Sequence, residues 1–253
     1  MTLDAVYGGA RWSAPRQITF LRALDDELER EPLLKFRLYY EGELRPNQRD
    51  PEGQQRDPLA IHKHKIRRVF HKQLKYLWTT NSFLKNYRRA VAGDIAARPV
   101  GIASAHFDYN DKDKIPLSEY IAGNFMENGY RFLPLICEEF SLLCSLDILF
   151  LRRGVPGTAI EGGDIDNRIK TLIDTLRKPK GAQELRGNET PQPDENPFFC
   201  LLQEDNLVSH FAVETDTLLD EPTENDADQR KARVIITVRI QPYEPTYFNL
   251  AFS

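Results

Sequence analysis

Residues 142–151, Leu-Leu-Cys-Ser-Leu-Asp-Ile-Leu-Phe-Leu, are apolar on both faces of an extended chain. A strand of that kind has neither side to give to water, which predicts a central place in a sheet with partners on both edges. Candidate partners follow from the same pattern. They are 33–40, with Leu34, Phe36, Leu38 and Tyr40 on one face, then 130–137, 198–202, 207–213, and the clean alternation Val-Ile-Ile-Thr-Val-Arg-Ile at 234–240. Ile165, Ile169, Leu172, Ile173 and Leu176 recur at helical spacing within 162–178, as do Ile66, Val69, Phe70, Leu74 and Leu77 within 59–78. A further helix is expected at 17–29, and another starting at Pro116 and stopped by Asn128-Gly129. The stretch 179–197, with prolines at both ends, reads as a long polar loop, either functional or disordered. There is no internal repeat and no second hydrophobic nucleus. The expectation is one α/β (α+β) domain, a mixed β-sheet packed by helices.

No apolar run approaches the 18 or more residues of a membrane span, and Met-Thr-Leu-Asp-Ala lacks the opening of a signal peptide. Cys137, Cys144 and Cys200 lack zinc-site spacing and suit a reducing, cytoplasmic setting as small core residues. The net charge of -4 hides a strong segregation. Residues 58–93 hold nine bases and no acid, whereas 214–228 hold seven acids and no base. Lys63, Arg67, Arg68, Lys72 and Lys75 are expected on the outer surface of helix 59–78, where they would meet nucleic-acid phosphates or form a solvated face. His62, His64 and His71 do not share a metal-binding spacing on that helix, and the acids of 103–114 lack the glycine and terminal glutamate of a calcium loop.

The residues that carry chemistry sit at the start of helix 162–178. Asp164 and Asp166 lie two apart after Gly162-Gly163, with Asp166 as the expected N-cap. Asp166, Lys170 and Asp174 fall on one line beside the apolar stripe, which also describes an ordinary row of i,i+4 salt bridges. Glu204-Asp205 closes the strand at 198–202. A strand-helix-strand order can bring the two acidic clusters to one edge of the sheet. Converging carboxylates repel unless a cation neutralises them, and hard oxygen donors favour Mg²⁺ or Mn²⁺. Such an ion activates water and stabilises charge developing on a phosphate, with Lys170 as a further positive charge.

Asp164-Ile165-Asp166-Asn167-Arg168-Ile169-Lys170, followed by Glu204-Asp205 ahead of Asn206-Leu207-Val208, resembles the RusA-type Holliday-junction resolvases. Their signature is an Asp-x-Asp-Asn-x-x-Lys run opening a helix and a later acidic pair before a Val-containing strand. The resemblance implies a RusA-like core, with 1–32 as an N-terminal extension and 79–130, 179–197 and 214–230 as insertions. It implies that Asp164, Asp166 and Asp205, with Glu204 beside them, bind Mg²⁺ (or Mn²⁺), and that Lys170 assists catalysis. It further implies a homodimer that cuts two strands of a DNA junction symmetrically. The expected function is a Mg²⁺-dependent, structure-selective endodeoxyribonuclease acting on branched DNA. The alternative is a nucleic-acid-binding or assembly component on the same scaffold with little activity of its own, favoured by the acidic balance and the added segments.

Overall fold

A computed structural model of the chain describes residues 34–46, 57–86, 88–90, 114–153, 164–219 and 231–244, together with 249 and 252. The extension 1–32, with the helix expected at 17–29, lies outside these residues, as do 103–113. In chain order the elements are β1 (Lys35–Glu43), α1 (Ala60–Thr80), α2 (Ser82–Asn86), β2 (Arg88–Ala90), β3 (Lys114–Pro116), α3 (Leu117–Asn124), β4 (Met126–Glu127), β5 (Tyr130–Ile136), β6 (Leu142–Arg152), α4 (Asp164–Leu176), β7 (Phe198–Leu202), β8 (Val208–Thr217) and β9 (Lys231–Pro242). Helices and mixed sheets make this an α+β domain.

The larger sheet runs β1-β9-β6-β8; β9 is antiparallel to both its neighbours and β6 is parallel to β8. β6 therefore has partners on both edges, but its faces are unequal. Leu142, Cys144, Leu146, Ile148 and Phe150 are buried, while Leu143, Asp147 and Leu149 are half-buried, and Asp147 takes an ion pair from Arg239. An apolar run on both faces thus carries the core on one face only. Register keeps that face continuous: Ile148 lies opposite Ile236, which lies opposite Leu38. Each such side chain contributes about 1.5–3 kcal/mol of burial. Cys137, Cys144 and Cys200 are buried and unpaired in disulfides, and burial pushes the Cys144 and Cys200 thiols up to about 12.

The smaller sheet, β4-β5-β7, has β5 parallel to β7 and both buried almost throughout. Asn128-Gly129 is not a helix stop, because α3 has already ended at Asn124. The pair, at φ 50 and 78, forms the two-residue link of the β4–β5 hairpin. A turn with positive φ at both positions matches the strand twist there, and Asn-Gly is a sequence that tolerates it.

α1 packs against β7, α4 and a 3₁₀ turn, Ala182–Leu185. That turn belongs to 179–197, which is a packed brace: Glu184, Leu185 and Glu195 are buried. His71 ties it down. Its Nδ1 accepts the Phe199 N–H (2.9 Å), which leaves Nε2–H to donate to the Asp194 carbonyl (3.2 Å). Residues 214–217 continue β8, so the expected insertion at 214–230 begins with ladder-paired strand; 220–230 lie outside the described residues. No described helix is long and apolar enough to cross a membrane.

Candidate active site

α4 begins at Asp164, so Asp166 lies inside its first turn and does not cap it. A carboxylate there is still favoured by the positive end of the helix dipole. The helix buries Ile169, Leu172 and Leu176. Between α4 and the edge strand β8 runs a cleft of about 760 Å³. Ile165, Ile169 and Ile173 face Val208, Phe211 and Val213 across it, and Asp166, Lys170, Asp174 and Asp205 supply its polar edge. Phe211 is 53% exposed.

Asp166, Lys170 and Asp205 thus border one cleft, and all three are exposed. The two acids do not stand together. Just beyond α4, Arg177 bridges to Leu202, and the Lys178 N–H donates to the Leu202 carbonyl (2.9 Å). From there the chains run side by side, so that Lys180 pairs with Asp205 (3.1 Å) and Glu204 (3.6 Å), and Lys178 with Glu204 (3.7 Å). Arg177 is eleven residues after Asp166, about 16 Å along the helix axis at 1.5 Å per residue. Asp166 marks one end of the cleft and Asp205 the other. Accordingly, no three His, Cys, Asp or Glu gather at metal-binding spacing among the described residues.

The carboxylates are hard oxygen donors, but the described residues of one chain do not gather three of them at one point. Asp166 and Asp205 are accessible carboxylates, and Lys178 and Lys180 already supply cations to the acidic pair. Partial burial pulls the Asp205 pKa up, but the hydrogen bond and charge of Lys180 outweigh it and hold that carboxyl below its usual range. Asp174 ends the row of Asp166 and Lys170 but, unlike them, turns inward. It is buried and faces Lys63 (2.8 Å) and Arg177 (3.0 Å).

The expected basic face of α1 is corrected by the same contacts. Lys63 is 3% exposed and Arg67 2%. Lys63 pairs with Asp57 (3.0 Å) and Asp174, and Arg67 with Glu184 (2.6 Å) and the Asp174 carbonyl (3.1 Å). Glu184 also meets Arg177 (2.8 Å), giving a buried network of three cations and three carboxylates. Arg68 is half-buried and paired with Glu195. Lys72 and Lys75 stay exposed, with Lys75 donating to the Asp194 carbonyl (3.2 Å). The balancing acids absent from 58–93 come from elsewhere in the chain. Sequence reasoning missed Arg177, Glu184 and Glu195, and only their place among the prolines and glycines of 177–197 hinted at a role.

Compared with known proteins, the chain matches no protein-family model, no curated protein and no solved structure.

Proposed function

We propose that the chain is a Mg²⁺-dependent endodeoxyribonuclease of the RusA-resolvase kind, acting on branched DNA as a homodimer formed across the α4–β8 cleft. One observation carries this reading: Asp166, Lys170 and Asp205 border a single apolar-walled cleft, with the acids at its opposite ends. A second copy laid antiparallel along the cleft, about a two-fold axis, would bring Asp164 and Asp166 of each copy to Asp205 of the other. A two-fold interface is self-complementary, so it completes two equivalent sites at once. The exposed Phe211 and the isoleucines of α4 supply the apolar contact such an interface needs.

Asp164, Asp166 and Asp205, with Glu204 adjacent, would hold Mg²⁺, which supplies a polarised phosphate and an acidified water. The chain's own residues do the rest. Lys178 and Lys180 orient Glu204 and Asp205 in the absence of substrate, and Lys180 holds the Asp205 carboxyl below its usual range. Lys170, exposed one turn after Asp166, places an ammonium where negative charge builds on the phosphate during cleavage.

The test incubates wild type and Asp166→Asn with junction, flap, duplex and single-stranded DNA in Mg²⁺. Wild type should cut the junction, and Asp166→Asn should be close to inactive while its circular dichroism is unchanged. If wild type cuts no DNA structure in Mg²⁺ or Mn²⁺, the enzyme reading fails. The separation of the acids within one chain favours a second reading, a nucleic-acid-binding or assembly component, which predicts junction binding without cleavage.

A further inference from the structure

No described strand pairs the outer edge of β8, and the side chains along that edge determine which strand it can accept. A bulge at Ser209 sets their faces, because Val208 lies opposite Cys144 of β6 and His210 opposite Ser145. From there Phe211, Val213 and Thr215 match the buried Leu146, Ile148 and Phe150 and line the cleft. His210, Ala212 and Glu214 stand on the other face and are exposed. A one-residue slip would set opposite faces against each other, so a copy of β8 laid antiparallel along this edge slides only in steps of two. Centred on Ala212, the pair sets His210 against Glu214 and Phe211 against Val213, each twice, with the smallest side chain on the two-fold axis. An imidazole N–H donates to a carboxylate whether the ring is neutral or charged. Centred on Phe211, the pair would set His210 against Ala212 and leave Glu214 beside Val208. Centred on Val213, it would give His210 to Asp216 but Phe211 to Thr215 and Glu214 to Ala212. The first register alone satisfies the polar and the apolar residues together.

We infer that two copies of the chain join edge to edge through β8, in the register centred on Ala212, so that their four-stranded sheets become one continuous sheet. The inference rests on the dimer of the nuclease reading and names the contact that builds it. α4 runs antiparallel to β8. Arg168, near the start of α4, lines a small hollow with Arg152, where β6 ends alongside its parallel neighbour β8. Arg177, just past the end of α4, bridges to Leu202 ahead of β8. An antiparallel β8 from a second copy therefore starts where the first one finishes, at the end of the cleft that Asp166 marks. Val208 of the second copy stands opposite Asp216, and Asp205 of that copy lies in the 3₁₀ turn just ahead of its Val208. Neighbouring strands are about 4.8 Å apart, a short step beside the ~16 Å of α4 that separates the acids within one chain. The two-fold axis repeats the arrangement at the other end. Phe211 and Val213 of both copies then form one apolar floor between the two α4 helices.

The experiment measures self-association of the full chain by sedimentation in Mg²⁺, beside a disulfide trap. Opposite residues of an antiparallel pair have Cα atoms about 4.5–5.5 Å apart, within the span of a disulfide. Ala212→Cys should therefore cross-link two copies under mild oxidation. His210→Cys should not, because its counterpart lies four residues along the ladder, about 13 Å away. Cys137, Cys144 and Cys200 are buried and do not compete. His210→Glu sets carboxylates against each other twice per dimer and should weaken it roughly tenfold. His210→Glu/Glu214→Arg restores opposite charges and should return the dissociation constant to within about threefold of wild type, a recovery that a residue outside the interface would not give. If wild type dimerises but Ala212→Cys does not cross-link and the charge swap restores nothing, another surface makes the dimer; the inference falls while the nuclease reading stands. If wild type is monomeric in Mg²⁺ and still cuts the junction, the inference falls together with the shared site, and the enzyme acts as one chain. If copies cross-link through position 212 and wild type cuts no DNA structure, the β8 interface stands and the nuclease reading fails.

Discussion

Lys63→Met separates a core cation from a DNA contact. Lys63 Nζ stands 3.0 Å from Asp57 and 2.8 Å from Asp174, with almost no access to solvent. Removing one partner of a buried ion pair costs about 3–5 kcal/mol, because the charge left behind has lost both water and its counter-ion. Here Asp174 retains Arg177 at 3.0 Å, which keeps the expected loss near the lower end, about 3 kcal/mol. Urea unfolding should show this as a lower midpoint at an unchanged m-value. A cycle with Asp174→Leu should return a coupling of at least about 1 kcal/mol, since the two residues touch. Junction binding by the folded variant should keep the wild-type salt slope, because a buried ammonium displaces no counter-ions from DNA. The reasoning is refuted if Lys63→Met unfolds within about 0.5 kcal/mol of wild type and loses about one unit of slope.

Lys170→Ala should bind the junction nearly as well as wild type and cut it at least tenfold more slowly, a barrier change of about 1.4 kcal/mol; equal rates would remove the role given to Lys170. If each metal site draws Asp166 from one copy and Asp205 from the other, mixing the inactive Asp166→Asn and Asp205→Asn variants should rebuild one intact site per mixed dimer. Recovered cleavage and a recovered Mn²⁺ thermal shift are expected, whereas a mixture as inert as its parts would place the site within one chain. His64 is buried against Tyr130 and Phe198, and burial, with the charge of Arg68, pushes its pKa down to about 4. The unfolded chain binds a proton near pH 6.5 and the folded chain only near 4, so stability is lost as pH falls through that window, by about 2 kcal/mol at pH 5. His64→Phe should flatten the stability profile between pH 7 and 5, and an unchanged profile would acquit the histidine.

What the sequence made legible is what repeats locally. The period-two pattern at 234–240 and the apolar run at 142–151 became β9 and β6, and the period of 3.6 at 59–78 and 162–178 became α1 and α4. Contacts between residues far apart in the chain leave no such trace. Lys63 and Asp174 are 111 residues apart, Arg67 and Glu184 117, and Arg68 and Glu195 127, so three bases that looked like part of an exposed basic face are paired with distant acids, while Lys72 and Lys75 stay exposed. Asn128-Gly129 was ambiguous for a different reason. Positive φ ends helices and turns hairpins alike, and the pairing of β4 with β5 decides between them. The strand-helix-strand order allowed the two acidic clusters to converge at one edge of the sheet, whereas Asp166 and Asp205 of one chain border opposite ends of the cleft. That order carried no information on which end of α4 the returning chain would pass.

That last point has thermodynamic weight on the proposed reading. A site whose donors come from both copies cannot hold its ion in a monomer, so metal binding and dimerisation are linked. Mg²⁺ then stabilises the dimer in proportion to RT ln(1 + [Mg²⁺]/Kd), and dilution of the protein releases the ion. The edge strand fits the same logic. β8 leaves His210, Phe211 and Ala212 exposed on a sheet edge that no described strand pairs, an arrangement that invites uncontrolled association unless a partner covers it. A self-complementary interface along that edge removes the exposed apolar surface and assembles the acids in one step. Cleavage would then be confined to the state in which two copies are present to cut two strands.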